Sequence, residues 1–252
     1  MSHWIFLRGL TRESRHWGDL PDRWVAHGLG RPLTIDLPGN GTARDVPVPA
    51  NVRGITEAVR HAAQASGLAG PWCVLAMSLG AMVATDWAQA WPEDIAGLVL
   101  INTSMRPFSV ATERLRPGNW AAILGMARHW HDRVRCERTV HRLTCERLDT
   151  RDADLANWVD IARSAPVTRE AALRQLMAAA RFRARRTPPA CPTLIVSSDA
   201  DALVNPSCSA GLAHGWSQPN VRHVRHPWAG HDLPHDDPQW LCGTVGAMWP
   251  GQ

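Results

Sequence analysis

One serine stands where a nucleophile could be made. Ser78 follows the apolar run Trp72-Cys73-Val74-Leu75-Ala76 and precedes Ala81 to Ala90, a stretch with the composition of a packed helix. A serine on a sharp strand-to-helix corner has its hydroxyl lifted clear of the sheet, and the corner closes only if the residues two before and two after are tiny. Ala76 and Gly80 meet that requirement, Ala76 being one methyl larger than the glycine of the G-x-S-x-G pattern. A hydroxyl is a poor nucleophile near pH 7, so it needs a histidine to take its proton and a carboxylate to orient that histidine. The C-terminal third supplies both, Asp201 in Ser198-Asp199-Ala200-Asp201-Ala202-Leu203-Val204 and His231 in Ala229-Gly230-His231-Asp232. Asp199, nearer the end of the preceding strand, is the rival for the acid role. The chemistry expected is acyl transfer through an acyl-enzyme.

These residues need a scaffold. Apolar runs at Ile5-Phe6-Leu7, Pro32 to Ile35, Trp72 to Ala76, Ile95 to Ile101, Pro192 to Ser197 and Val221 to Val224 read as strands. Helical patterns fall between them, at His16 to Val25, from the cap Asn51 to about Gln64, at Ala81 to Ala90, at about Pro206 to His214, and after Pro238. Strands alternating with helices predict an α/β fold with a mostly parallel sheet flanked by helices. Between Arg106 and Pro188 strand signals vanish and arginine-rich amphipathic segments, broken at Pro107, Pro117 and Pro166, take over. The expected organisation is a core of residues 1–105 and 189–252 with a helical lid at 106–188.

Taken in order, the loop Leu7-Arg8-Gly9-Leu10, the turn Asp36-Leu37-Pro38-Gly39-Asn40-Gly41, the serine corner, and the D-x-L-V and Gly-His segments resemble the α/β-hydrolase superfamily over nearly the whole chain. The order Ser, Asp, His is the one that superfamily uses. The resemblance implies the α/β-hydrolase fold, favours Asp201 over Asp199 as the orienting acid, and assigns the oxyanion hole to the backbone N–H groups of Leu10 and Leu79. The family's first loop usually reads His-Gly, where this chain has Arg8-Gly9. Small size and a helical lid are similar to carboxylesterases of the pimeloyl-carrier-protein methyl ester esterase group. The implied activity is a cofactor-free serine carboxylesterase with Ser78 as nucleophile and His231 as base, acting on a small-molecule ester.

Alternatives share the same triad. They are a carrier-linked ester or thioester hydrolase, a C–C bond hydrolase or lyase, and a non-catalytic ligand-binding member of the fold. All 27 basic residues are arginine; 17 of them lie between Arg106 and Ala190 against nine acidic residues, whereas the remainder carries ten against 14. A basic insertion on an acidic body suits an acidic carrier protein docking at the lid. Nucleic acid is not an expected partner, because the arginines are mixed with acids and accompany no recognition motif. The start of the chain has no signal-peptide pattern and no apolar run reaches spanning length, so a soluble, cytoplasmic protein without a membrane span is expected.

The six cysteines form no C-x-x-C pair and read as reduced, buried thiols. His226, His231 and His235 could offer metal ligands, but Pro227 and Pro234 interrupt any helix that would align them, so no metal is expected. His226 and His235 read as surface or supporting residues. Trp17, Trp24, Trp120, Trp130 and Trp228 are candidates for an acyl pocket or for core. Asn102, Thr103 and Ser104 end a strand beside the corner and either face the site or cap a helix.

Overall fold

The computed structural model describes residues 3–249. Six strands, β1 (His3–Leu7), β2 (Leu33–Thr34), β3 (Trp72–Met77), β4 (Ile95–Ile101), β5 (Thr193–Ser198) and β6 (Val221–His226), form one sheet in the order β2-β1-β3-β4-β5-β6. Every pairing is parallel. Parallel strands need covering on both faces, which is why the central runs are apolar without alternation; all six residues of β3 are buried. Successive residues serve opposite cores. Val74 and Ala76 pack with α2 (Val52–Ala65), α3 (Leu79–Ala90) and α9 (Ser207–Gly215), whereas Cys73, Leu75 and Met77 pack with α1 (Leu20–Ala26) and α11 (Pro238–Met248). Edge strand β6 is half-exposed and carries Arg222 and Arg225, charges that discourage pairing with another chain.

The sequence predicts one helix over His16 to Val25. The structure divides it into a 3-10 turn at Ser14–Trp17 and α1, because Gly18 at φ 56° ends the first and Pro21 starts the second. Asn51 does cap α2, accepting from the Gly54 N–H at 2.9 Å.

Between β4 and β5 run α4 (Ala111–Arg114), α5 (Trp120–Arg128), α6 (Arg133–Thr144), α7 (Arg151–Ser164) and α8 (Arg169–Arg181). The two ends of this excursion are stitched together. Arg106 bridges to Arg183, the Ala184 N–H donates to the Arg106 carbonyl at 2.8 Å, and Arg106 and Arg114 donate to the last carbonyls of α8. Among the described residues no helix is long and apolar enough to cross a membrane.

Candidate active site

The strand order reverses between β1 and β3, so the loops at their carboxyl ends diverge and leave a crevice, the usual place for a site in such sheets. Ser78 sits there at φ 53° and ψ −115°, a conformation that costs a non-glycine residue about 1–3 kcal/mol. Its backbone is held from several directions. The Ser78 N–H donates to the Ile101 carbonyl at 2.9 Å, and the Ser78 carbonyl accepts from the Ala81 and Met82 N–H groups and from Thr103 Oγ1 at 3.0 Å.

The tolerance for side chains around the corner is uneven. A Cβ on Gly80 would lie 2.5 Å from the carbonyl oxygens of both Leu7 and Arg8, and one on Gly9 would lie 3.2 Å from Ser78 Cβ. The loop after β1 is therefore pressed against the corner, bringing Leu10 and Leu79 to the same cavity as Ser78. Ala76 is fully buried within β3, paired with Leu7 and Leu100, and its methyl joins the core.

Asp201 follows β5 and His231 follows β6. His231 Nδ1 and Asp201 Oδ2 are 2.7 Å apart, both nearly shut off from solvent. The other carboxylate oxygen of Asp201 accepts the Leu203 and Val204 N–H groups at 2.9 Å each, so the carboxylate has a fixed orientation. Asp199 turns away to an ion pair with Arg225 at 2.9 Å. His231 lines the cavity that Ser78, Leu10 and Leu79 also line.

Several supports were not assigned from the sequence. Arg8 is buried and donates to both carboxylate oxygens of Asp232, at 2.9 and 2.5 Å, with its guanidinium 4.8 Å from the centre of the Trp17 ring. This pair ties the loop after β1 to the His231 loop. Burial pushes the Asp232 carboxyl up, but the charge and hydrogen bonds of Arg8, helped by His235 and Arg12, outweigh it and hold the group well below the usual carboxylate range. Asp236 accepts from the N–H groups of Gly230, Glu146 and Arg147, joining the His231 loop to the segment after α6. Asn102, at φ 45°, donates to Ser198 Oγ and to the carbonyls of Gly230 and His231, and accepts from the Ser198 N–H. It is a buried strut; Ser104 is the member of its trio that lines the cavity. Arg8 was visible in sequence as a departure from His-Gly, whereas Asn102 and Asp236 carried no local signal.

The cavity measures about 840 Å³. Leu115, Trp120, Ile123, Met126, Leu173 and Leu176 of the excursion form much of its wall. Of the candidate tryptophans, Trp120 and Trp130 line it. Trp17 and Trp24 belong to the core beneath the sheet, and Trp228 is exposed beside His226. Of the two readings of His226, the supporting one holds: it is buried, its Nδ1 accepts the Ala229 N–H at 2.9 Å and its Nε2 lies 3.2 Å from Asp237. All six cysteines are buried, and none is joined in a disulfide.

Residues 4–244 match the sequence profile of the Alpha/beta hydrolase family, Abhydrolase_6. The chain belongs to the alpha/beta hydrolase family. It is 30% identical over 227 residues to "Putative carbamate hydrolase RutD" of Klebsiella pneumoniae (strain 342), a match spanning 84% of this chain and 80% of that protein. Among solved structures, the enol-lactonase of Burkholderia xenovorans LB400 superposes with a TM-score of 0.78 at 18% identity, covering 99% of this chain and 92% of that one. A thermophilic esterase from Thermogutta terrifontis superposes with a TM-score of 0.74 at 20% identity, covering 99% and 89%. These two likenesses establish the shared fold.

Proposed function

We propose that this alpha/beta hydrolase is a serine carboxylesterase that takes an ester with a sizeable apolar acyl group. The observation that carries the reading is the opening of the strained Ser78 corner and the His231–Asp201 pair onto one large cavity with apolar walls. Ser78 Oγ attacks the ester carbonyl. His231, with Nδ1 committed to Asp201, takes the serine proton at Nε2 and passes it to the leaving alcohol. The Leu10 and Leu79 N–H groups hold the oxygen that becomes negative, an interaction worth about 3 kcal/mol per donor. Water then repeats the sequence on the acyl-enzyme and releases the acid. No cofactor enters any of these steps.

Esters, lactones and carbamates all present a carbonyl with a leaving group to this geometry. A bare carbamate is small and polar and would leave most of 840 Å³ unfilled, whereas an extended acyl chain is matched by the leucine, methionine and tryptophan wall. Residues 106–188 act as the lid in this reading, supplying that wall.

Hydrolysis of p-nitrophenyl esters from acetate to long acyl chains, by wild type and Ser78→Ala, tests the proposal. Activity rising to an optimum at medium or long chains and lost in the variant supports it. Activity retained in Ser78→Ala, or restricted to acetate, overturns it.

A second reading is favoured by Arg135, Arg138 and Arg142, which lie exposed along one face of α6 beside a surface groove. Such a stripe suits an acidic carrier protein delivering the acyl group. Neutralising these arginines should then raise KM for carrier-linked esters alone; an equal effect on free esters removes this reading.

A further inference from the structure

His141 and Cys145 lie one helical turn apart at the end of α6, Cys145 being its cap residue. His235 belongs to α10 (Leu233–Asp236), the turn that follows His231. The nitrogen and sulfur donors of these three residues all lie within 4.8 Å of one another. Asp154, in the first turn of α7, places Oδ2 at 3.1 Å from His235 Nε2 and 3.8 Å from His141 Nε2. Both Nε2 atoms are sealed from solvent and have no hydrogen-bond partner among the described residues.

We propose that His141, Cys145, His235 and Asp154 form a structural zinc site. Two imidazoles, a thiolate and a carboxylate are the donor set that zinc takes in four-coordinate sites, and soft sulfur with borderline nitrogen selects against magnesium and calcium. A tetrahedral ion with zinc–nitrogen distances of about 2.0–2.1 Å and a zinc–sulfur distance of about 2.3 Å sets its donors roughly 3.3–3.7 Å apart. The cluster reaches that spacing by closing about an ångström on a common centre. Binding displaces the Cys145 thiol proton to solvent, and the charges of thiolate and carboxylate together balance the dication. None of the four residues lines the large cavity, so the ion has no place in acyl transfer.

Position gives the site its role. The Thr144 carbonyl, between His141 and Cys145 in the chain, accepts the Asp232 N–H at 2.7 Å, and a Cβ on Gly230 would lie 2.6 Å from it. An ion shared by α6, α7 and α10 therefore clamps the excursion that walls the cavity to the loop that carries His231.

The test uses untagged full-length protein, stripped with a chelator and titrated with Co²⁺ and then Zn²⁺. One equivalent of cobalt should produce the strong visible bands of a tetrahedral ion with a thiolate-to-cobalt band in the near ultraviolet. Zinc should bleach both and raise Tm. Cys145→Ser should lose the near-ultraviolet band, and His235→Gln should lower the metal stoichiometry and cancel the zinc-dependent rise in Tm. A wild-type cobalt spectrum without a thiolate band overturns the proposal whether or not the variants fold. So does the same spectrum in wild type and Cys145→Ser.

Discussion

Replacing Arg8 by Met keeps the aliphatic stem beside Trp17 but removes the guanidinium from Asp232, leaving a fully buried carboxylate without its main partner. Breaking a buried pair from one side costs about 3–5 kcal/mol. With a urea slope of about 3 kcal/mol/M for a chain of this length, the unfolding midpoint at pH 7 should fall by roughly 1–1.7 M, followed by tryptophan fluorescence. The pH dependence separates the lost charge pair from lost packing. In the wild type the folded Asp232 carboxyl is depressed, so its contribution is fully present above the unfolded value of about 3.9 and disappears only as pH falls through the folded value. In Arg8→Met burial dominates and raises the folded carboxyl, so the variant loses stability as pH climbs from about 4. The gap between the two proteins should widen from pH 3.5 to pH 7. A midpoint unchanged at pH 7, or a gap equal at both pH values, would refute the assignment of Arg8 and Asp232 as the tie between the loop after β1 and the His231 loop.

Other expectations follow from the same geometry. Asp201→Asn should lower kcat by about 10⁴-fold in steady-state ester hydrolysis, while Asp199→Asn, which disrupts an exposed pair with Arg225, should leave it near wild type; equal effects would reassign the acid. Gly80→Ala forces a methyl against the carbonyls of Leu7 and Arg8 and should cost about 1–3 kcal/mol in urea unfolding, with kcat down by roughly 10²–10³ as the loop carrying Leu10, the proposed oxyanion donor, is pushed away. Normal kcat in a folded Gly80→Ala protein contradicts this. Leu176→Trp narrows the cavity, and the p-nitrophenyl ester optimum should move toward shorter chains.

The sheet was legible because β3 and β4 are covered on both faces and so have no polar residue to blur them. The corner was legible because a strained serine leaves its mark on its own neighbours, Ala76 and Gly80. What escaped was set by partners distant in sequence. His226 was left open between a surface and a supporting role because nothing local announces that its ring supports the Ala229 N–H. Trp24 was open to either a pocket or a core reading, and only its edge-on packing against Trp4 and Phe6 under the sheet decides for the core. Considering His226, His231 and His235 together as ligands followed their spacing along the chain. Folding sends His231 to Asp201 and sets His235 beside His141 and Cys145, some ninety residues upstream.

The stitched ends of the excursion between β4 and β5 set it apart from the body that carries the serine corner. Because Arg106 and Ala184 meet at 2.8 Å, the intervening chain leaves and rejoins the body at a single point, and its length can change with only a slow, logarithmic entropic penalty. The parts a replacement must reproduce are few. It needs a carboxylate opposite Arg12, as Glu137 provides, N–H groups for Asp236, as Glu146 and Arg147 provide, a carbonyl for the Asp232 N–H, as Thr144 provides, and a buried amide joining Thr11, Pro38 and Asn40, as Gln175 provides. A foreign helical segment meeting those conditions could be spliced in above an untouched serine corner, so under the proposed function substrate range becomes an exchangeable part of this molecule and bond cleavage a fixed one.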